Sequence, residues 1–256
     1  MSNSLVSIRE RMKADALKAA SQEVVRGQFF KMRAGMLSFD GVTMPNNTMG
    51  VIILASLFEN VYYGGDFDSD TPSAPECFAF GTEGEDNMVP HPTVVADGRA
   101  KHTDCKTCPL NAWGSADKGK GKACKNTRRL AMIPAGTFDN KGVFTAYSLD
   151  DLKAANVGYM RLPVTSVQNY ANFVKGATTV LHAPPHTLFT KVYTKPDSKT
   201  QFKVHFEVIS EIPEDYLVDI YGRHDELSAM IDFPYSRPSE EAPVTEKKAP
   251  AKRGRY

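Results

Sequence analysis

The 256-residue sequence lacks the features of a membrane or secreted protein. Its longest apolar run, residues 51–58, is far short of the roughly 20 residues that a membrane-spanning helix needs. Residues 1–13 contain no apolar core of a signal peptide, so we expect a cytoplasmic protein without a membrane partner. No internal repeat is present, and a hydrophobic content of 41% excludes a wholly disordered chain.

The common sequence motifs of catalysis are also missing. There is no H-E-x-x-H, no H-x-E of the zinc deaminases, no G-x4-G-K-[ST] phosphate loop and no nucleophile elbow. The acidic stretch 66–70 lacks the Gly and the distal Glu of an EF-hand loop. We therefore expect no enzyme, and a metal-dependent nuclease remains as a third hypothesis.

Positive charge is absent from one long part of the chain. Residues 34–98 contain ten acids and no Lys or Arg, whereas residues 99–129 contain nine Lys or Arg against two acids, a net charge of +7. Such a dense basic block is typical of nucleic-acid-binding segments. The alternative is that the acidic and basic segments pair with each other.

Local sequence patterns predict an α+β protein in which strands dominate. Helical patterns occur near the start of the chain, around residue 170 and in an acidic stretch after residue 212, and the clearest strand pattern is a hairpin. The predicted elements are a helix over 7–33, strands and turns over 34–65 with a buried strand or short helix at 49–58, a loop over 64–75, strands at 130–134 and 143–149, a helix over 166–175 ended by Gly176, a hairpin of 188–194 and 201–209, an acidic helix over 213–230 and a disordered tail over 237–256.

The four cysteines all fall within residues 77–124, with the spacing C-x27-C-x2-C-x15-C. A C-x2-C pair brings two thiolates to one ion from a tight turn, and two further ligands complete a tetrahedral site. The spacing therefore favours a structural zinc site, because four cysteine ligands leave no open position for a catalytic water. The cysteines are Cys77, Cys105, Cys108 and Cys124.

Other interpretations of the cysteines remain open. Two disulfides are disfavoured by the absence of a secretion signal, and a redox C-x2-C by the absence of a βαβ pattern. Four inert thiols are the third alternative. Because the chain has one C-x2-C pair where a zinc ribbon has two, His91 or His102 is a reserve ligand.

The loop between Cys108 and Cys124 alternates Lys with Gly and carries the single Trp of the chain. Flexible ammonium groups can follow a phosphate backbone, and an exposed indole offers a stacking surface for bases. The alternative for the indole is a plug in a small core beside the metal. The candidate contacts are Trp113, Lys118, Lys120, Lys122, Lys125, Arg128 and Arg129.

The hairpin supplies a second candidate surface. Phe189, Lys191 and Tyr193 alternate on one face of its first strand, a mixture suited to stacking bases and neutralising phosphates. Aromatics at this period are also typical of a core. Because Leu188 and Val192 make the opposite face apolar too, we expect one of the two faces to be exposed.

The segment that begins Cys105-Lys-Thr-Cys108-Pro-Leu-Asn-Ala-Trp113-Gly-Ser and continues Gly-Lys-Gly-Lys-Ala-Cys124-Lys-Asn-Thr-Arg128-Arg129-Leu resembles a cysteine-bearing segment of phage-encoded proteins near replication genes. The general plan is similar to that of the single-stranded DNA-binding proteins of tailed phages, which combine an OB-fold core, an inserted zinc subdomain and a charged C-terminal tail. The T-even phage type uses three Cys and one His around its zinc and has an acidic tail. Here there are four Cys, and the tail has three acids and five bases after Arg237.

The resemblance implies an OB-like barrel core over residues 1–236, a zinc-binding insert at about 77–129 and a disordered charged tail over 237–256. It implies that the four cysteines hold a structural Zn²⁺ and that the basic groups from Lys118 to Arg129 line a groove for single-stranded DNA. The function would be sequence-independent strand binding in phage DNA replication or recombination, in the host cytoplasm, with the tail meeting replication or recombination proteins. The alternative is a zinc-stabilised protein-interaction or regulatory protein that binds no nucleic acid.

Overall fold

The computed structural model describes residues 29–33, 35–39, 41–64, 74–84, 87–117 and 119–235. Within them the chain is α+β, with mostly antiparallel strands and few helices. Residues 7–28 of the helix predicted over 7–33, most of the loop predicted over 64–75, Lys118 and the tail predicted over 237–256 lie outside these residues. None of the helices in the described ranges is both long enough and apolar enough to cross a membrane.

The described residues form ten strands and four α-helices. The strands are β1 (Phe30–Arg33), β2 (Met36–Phe39), β3 (Val42–Thr43), β4 (Thr48–Tyr62), β5 (Cys77–Gly81), β6 (Lys125–Phe138), β7 (Phe144–Ala146), β8 (Gly158–Leu162), β9 (Leu188–Asp197) and β10 (Gln201–Glu211). The helices are α1 (Pro92–Ala96), α2 (Leu149–Ala154), α3 (Val167–Leu181) and α4 (Leu217–Ser228).

The larger sheet has the strand order β10-β9-β4-β6-β7, with β5 paired to β4 and β8 paired to β6. A smaller sheet has the order β1-β2-β3. The chain divides into two compact units, and the boundaries between them fall inside β4, β6 and α4. The first unit is Met1–Ala55 with Leu130–Asp225, and the second is Ser56–Arg129 with Glu226–Tyr256.

The first unit is built on the hairpin of β9 and β10 and the helix α3. The apolar positions Tyr170, Phe173 and Ala177 recur at helical spacing and are buried. Phe206 of β10 packs edge-on against Tyr170, with ring centroids 5.2 Å apart. Ser166 Oγ, just before the helix, accepts a hydrogen bond from the Val204 amide at 2.9 Å, which ties the helix start to the hairpin.

The second unit contains β5, α1 and the cysteine-bearing segment. β5 pairs antiparallel with residues 58–62 of β4, and the apolar side chains of Val61, Phe78 and Val94 form a small core. His91 caps α1, because its Nδ1 accepts a hydrogen bond from the Thr93 amide at 3.3 Å. This cap fixes the start of α1, the helix that precedes the basic block.

Several sequence predictions of elements are confirmed and others are wrong in extent. Residues 49–58 belong to a buried strand, and the hairpin forms as predicted, although β9 continues to Asp197. Residues 30–33 form a strand where a helix was predicted, because they pair with β2. The strand predicted at 143–149 is only three residues long, since Ser148 caps α2. Gly176 does not end α3, which runs to Leu181.

Candidate metal centre and nucleic-acid interface

The four cysteines come from separate parts of the second unit and line one cavity. Cys77 begins β5, Cys105 and Cys108 lie in the loop after α1, and Cys124 directly precedes β6. The cavity has a volume of about 20 Å³, which is enough for one water-sized particle or ion. All four are free thiols. The structure therefore brings together, as separate thiols, the four donors that the sequence singled out.

A side-chain turn shapes the C-x2-C pair. Oδ1 of Asp104 accepts a hydrogen bond from the Thr107 amide at 2.7 Å, and Oδ2 accepts one from the Thr107 hydroxyl at 2.6 Å. Asn111 Nδ2 donates to the Cys105 carbonyl at 2.7 Å, which holds the following short 3₁₀ turn against the pair. These contacts fold the four-residue segment tightly enough for both thiols to reach the same cavity.

Further hydrogen bonds close the loop between Cys108 and Cys124. The Cys124 amide donates to the Leu110 carbonyl at 2.8 Å. Ser115 Oγ donates to that same carbonyl at 2.8 Å and accepts from the Ala123 amide at 2.9 Å. The base of the loop is thus fixed beside the cavity.

Burial controls the protonation of the thiols. It raises the pKa of Cys105 to about 11 and that of Cys124 to about 12, and the neighbouring thiols add to both shifts. Burial also raises the pKa of Cys77, against a hydrogen bond from the Lys101 backbone that lowers it. These thiols are protonated at neutral pH in the metal-free protein, so a metal that binds thiolates must displace protons.

Asn60 lies on the wall of the cavity and is only 1% exposed. Its Oδ1 accepts a hydrogen bond from Asn126 Nδ2 at 2.5 Å. Its own Nδ2 is buried and has no hydrogen-bond partner among the described residues. The Asn60 amide faces the Cys105 thiol and lowers the pKa of that thiol. A thiolate at Cys105 would supply the acceptor that this N–H lacks. Sequence reasoning missed Asn60, because it stands in an apolar strand far from the cysteines in the chain.

The geometry around the cavity is not that of a closed metal site. Within the described ranges, no group of three or more His, Cys, Asp or Glu side chains is arranged to hold a metal ion. Of the two reserve ligands, His102 lines the cavity. The ring of His91 instead packs against Phe78 and caps α1. The cavity therefore brings four thiols and one histidine together without the arrangement of a metal-bound site.

Trp113 is exposed on this loop, with 80% of its surface accessible. Lys122 Nζ lies 5.7 Å from the centroid of its ring. Lys120 and Lys125 are exposed as well. The alternative that Trp113 plugs a small core is wrong, and the loop presents one open indole face among several ammonium groups.

The two arginines at the start of β6 are not part of this exposed surface. Arg129 is buried, and its guanidinium donates to Oε1 of Glu59 and to the Ile231 and Phe233 carbonyls. The Arg128 guanidinium lies over the Phe58 ring, 3.1 Å from its centroid. The prediction that Arg129 lines a strand-binding groove is corrected by its burial.

The structure also pairs part of the basic block with the acidic segment. Arg99 binds Asp97 at 2.9 Å and Lys101 binds Glu76 at 2.7 Å, in addition to the buried pair of Arg129 with Glu59. The net charge of +7 counted along the sequence is therefore partly neutralised within the fold. Lys120 on the loop of Trp113 and Lys125 just after it stay exposed.

The second candidate surface, on the hairpin of the first unit, differs from its prediction. Phe189 is 3% exposed and Tyr193 is 8% exposed, and Leu188 and Val192 on the opposite face are fully buried. The expectation that one of the two faces is exposed is wrong, because both faces of β9 pack inside the unit. Lys191 is half-buried, with its Nζ 3.5 Å from Oε2 of Glu207.

No family model, curated protein or solved structure matches this chain. The features of the second unit that bear on function are the four-thiol cavity, the buried Asn60 amide beside it and the exposed Trp113 on a lysine-bearing loop.

Proposed function

We propose that this chain is a non-catalytic protein that binds single-stranded DNA and acts in phage DNA replication or recombination. In this proposal the strand-rich fold is an OB-like core, and the cysteine segment is its zinc-stabilised insert. A structural Zn²⁺ is held by four thiolates, those of Cys77, Cys105, Cys108 and Cys124.

The observation that carries the proposal is the exposed indole of Trp113 beside the Lys122 ammonium. A large aromatic ring that is 80% accessible contributes nothing to a core, whereas a flat face next to cations suits the bases and phosphates of an unpaired strand. Duplex DNA hides the faces of its bases in the stack, so the same surface favours single strands. Lys120 and Lys125 extend the positive charge along the loop.

The zinc part of the proposal is supported by the chemistry of the cavity. Its donors are thiols, the ligands typical of structural zinc, and the Asn60 amide faces them without another acceptor. Zinc would lock the C-x2-C turn and the base of the loop, and so fix the direction in which Trp113 projects. Asp104 and Asn111 shape the same turn through their hydrogen bonds.

A second candidate function has its own observation. The ion pairs of Arg99, Lys101 and Arg129 with acidic residues show that part of the basic block stabilises the fold. This favours a zinc-stabilised protein-interaction module, in which Trp113 would contact a protein partner instead of a base.

A titration with oligo-dT at low and high salt separates the two candidates. Because Trp113 is the single Trp of the chain, its fluorescence reports stacking directly, and zinc is measured on the same sample. We expect quenching and tight binding that weakens steeply with salt, with about one zinc per chain. The variant Trp113→Phe should retain much of the affinity and Trp113→Ala should lose about tenfold.

The same substitution at two lysines gives a test variant and its matched control. Lys120→Gln, on the loop, should weaken binding and reduce the salt dependence by about one counterion. Lys199→Gln, in the exposed hairpin turn, should leave both unchanged. Absence of oligonucleotide binding at low salt, with zinc still present, would reject the strand-binding proposal and favour the protein-interaction candidate.

A further inference from the structure

A large cavity opens in the first unit. It shares no lining residue with the four-cysteine cavity. Its volume is about 580 Å³, within the range of about 300–1,000 Å³ that is common for ligand sites. Segments from the β2–β4 region and from the β6–β7 turn form its walls. The residues that give it chemical character are Phe30, Phe39, Phe138, Tyr147, Lys191 and Asp139.

Four of the lining residues are aromatic: Phe30, Phe39, Phe138 and Tyr147. Phe30 and Phe39 stack on each other with centroids 4.2 Å apart, and Phe138 packs against Phe144 at 5.2 Å. Met44 and Met49 add adaptable apolar surface. Such walls favour a flat, apolar ligand surface, because planar π-systems stack on aromatic side chains.

One cation lies among these rings. Lys191 Nζ is 5.9 Å from the centroid of Phe138 and 4.9 Å from that of Tyr193. Its acidic neighbour Glu207 is largely solvent-accessible, which weakens that ion pair. Asp139 also lines the cavity, but its Oδ1 already accepts the amides of Lys141 and Val143 at 2.8 Å. The cavity thus combines four aromatic side chains with one ammonium group, and its one carboxylate is engaged by backbone amides, so Lys191 is the lining group that can meet the anion of a planar ligand.

We propose that this cavity takes unstacked nucleobases of a bound single strand, with the strand's phosphate at Lys191. The inference rests on the proposed strand-binding function and adds to it a base-binding site in the other unit. It also revises the role of the hairpin: of the three residues predicted as contacts, Lys191 reaches the cavity, while Phe189 and Tyr193 support it from the interior. The loop of Trp113 then supplies phosphate contacts and one stacking face, and the cavity supplies most of the base contacts.

The test compares a dT oligonucleotide with an abasic oligonucleotide of the same length and charge, titrated against the full chain. If the protein contacts bases, the wild type binds the dT strand more tightly than the abasic strand. Because aromatic side chains would contact a few bases, we expect an affinity ratio of about tenfold or more. Thr137→Glu places a charge on an exposed wall residue of the cavity without removing a core contact. Lys191→Met removes the ammonium.

Matched controls make the same chemical changes elsewhere in the first unit. Thr178→Glu lies on an exposed position of α3, and Lys199→Met lies in the hairpin turn. We expect the two cavity variants to lose most of the preference for dT and the two controls to retain it. Thermal unfolding of each variant establishes that the fold is intact. Cross-linking of a 5-iodouracil strand, followed by peptide mapping, should identify the segment that contains Phe138 and Tyr147.

The outcomes separate this inference from the function on which it rests. If the wild type prefers dT but the cavity variants retain the whole preference, and cross-links map to the Trp113 loop alone, the cavity site is wrong and strand binding stands. Equal affinity for the dT and abasic strands also overturns the cavity site and leaves a phosphate-binding protein. If neither strand binds, the proposed function itself fails.

Discussion

The Arg129 guanidinium donates two hydrogen bonds to one carboxylate oxygen of Glu59, with Nη2 at 2.7 Å and Nε at 3.0 Å from Oε1. Both side chains are almost completely buried. The same guanidinium lies over the rings of Phe80 and Phe233, with its central carbon 4.3 Å from each centroid. It thereby connects β4, β5, β6 and the segment after α4 inside the second unit.

The first prediction concerns this pair. Arg129→Gln should lower the free energy of unfolding by about 3–5 kcal/mol, because it leaves the Glu59 carboxylate buried without its charge partner. Denaturant unfolding at neutral pH measures the loss. Lys125→Gln, four residues earlier and exposed, should change stability by about 0.5 kcal/mol or less. If the Arg129→Gln protein is as stable as the wild type but binds DNA more weakly, Arg129 is a DNA contact and not a buried structural residue.

The second prediction concerns the thiols and metal. Cys124→Ser should lower the zinc content and the melting temperature, whereas His102→Asn, on the same cavity, should retain the metal. Elemental analysis and thermal unfolding, with and without chelator, measure both effects. If Cys124→Ser retains zinc and His102→Asn loses it, the fourth zinc ligand is His102 and not Cys124.

The third prediction concerns the pH dependence of metal binding. Because burial raises the pKa of Cys105 to about 11 and of Cys124 to about 12, these thiols carry protons at pH 7 that zinc must displace. Apparent affinity should therefore rise as pH increases from 6 to 8. Calorimetry in buffers of different ionisation enthalpy measures the released protons, and zinc binding without proton release would contradict thiolate ligation.

The fourth prediction uses one substitution at two glycines of the first unit. A Cβ at Gly176 in α3 would meet no other atom within 4 Å, so Gly176→Ala should raise stability by about 0.5–1 kcal/mol. A Cβ at Gly136 in β6 would lie 2.3 Å from the Thr145 carbonyl oxygen and 2.5 Å from the Phe144 ring. Gly136→Ala should therefore lower stability by about 1–3 kcal/mol. Equal effects of the two substitutions in denaturant unfolding would contradict this packing.

The fifth prediction concerns stability in acid. Burial and the neighbouring His224, stacked at 4.0 Å, lower the pKa of His186 to about 4. The unfolded chain therefore binds more protons than the folded chain between about pH 6.5 and pH 4, and this contribution to stability falls as the pH falls through that window. His186→Phe should flatten the dependence, and His182→Asn, at an exposed position, should not. An unchanged slope in His186→Phe would assign the dependence to other groups.

The amino-acid sequence by itself determined the local features of this protein. Alternating residues predicted the β9–β10 hairpin, and helical spacing placed Tyr170 and its neighbours on one face of α3. An apolar run indicated that residues 49–58 are buried and left open whether they form a strand or a short helix. Each depends on residues a few positions apart, because strand and helix periods are local properties of the backbone. The grouping of all four cysteines with the basic loop could likewise be seen in one short segment.

The tertiary structure alone decided which of these side chains are accessible. Arg129 is neutralised by Glu59, which lies 70 positions away in the sequence. Asn60 reaches the cysteine cavity from a strand whose own pattern is apolar, and Phe189 and Tyr193 are covered on a strand that has two apolar faces. Charge counts and periodicity contain no distances between remote segments. Burial and ion pairing depend on such distances, so they are determined only when the chain has folded.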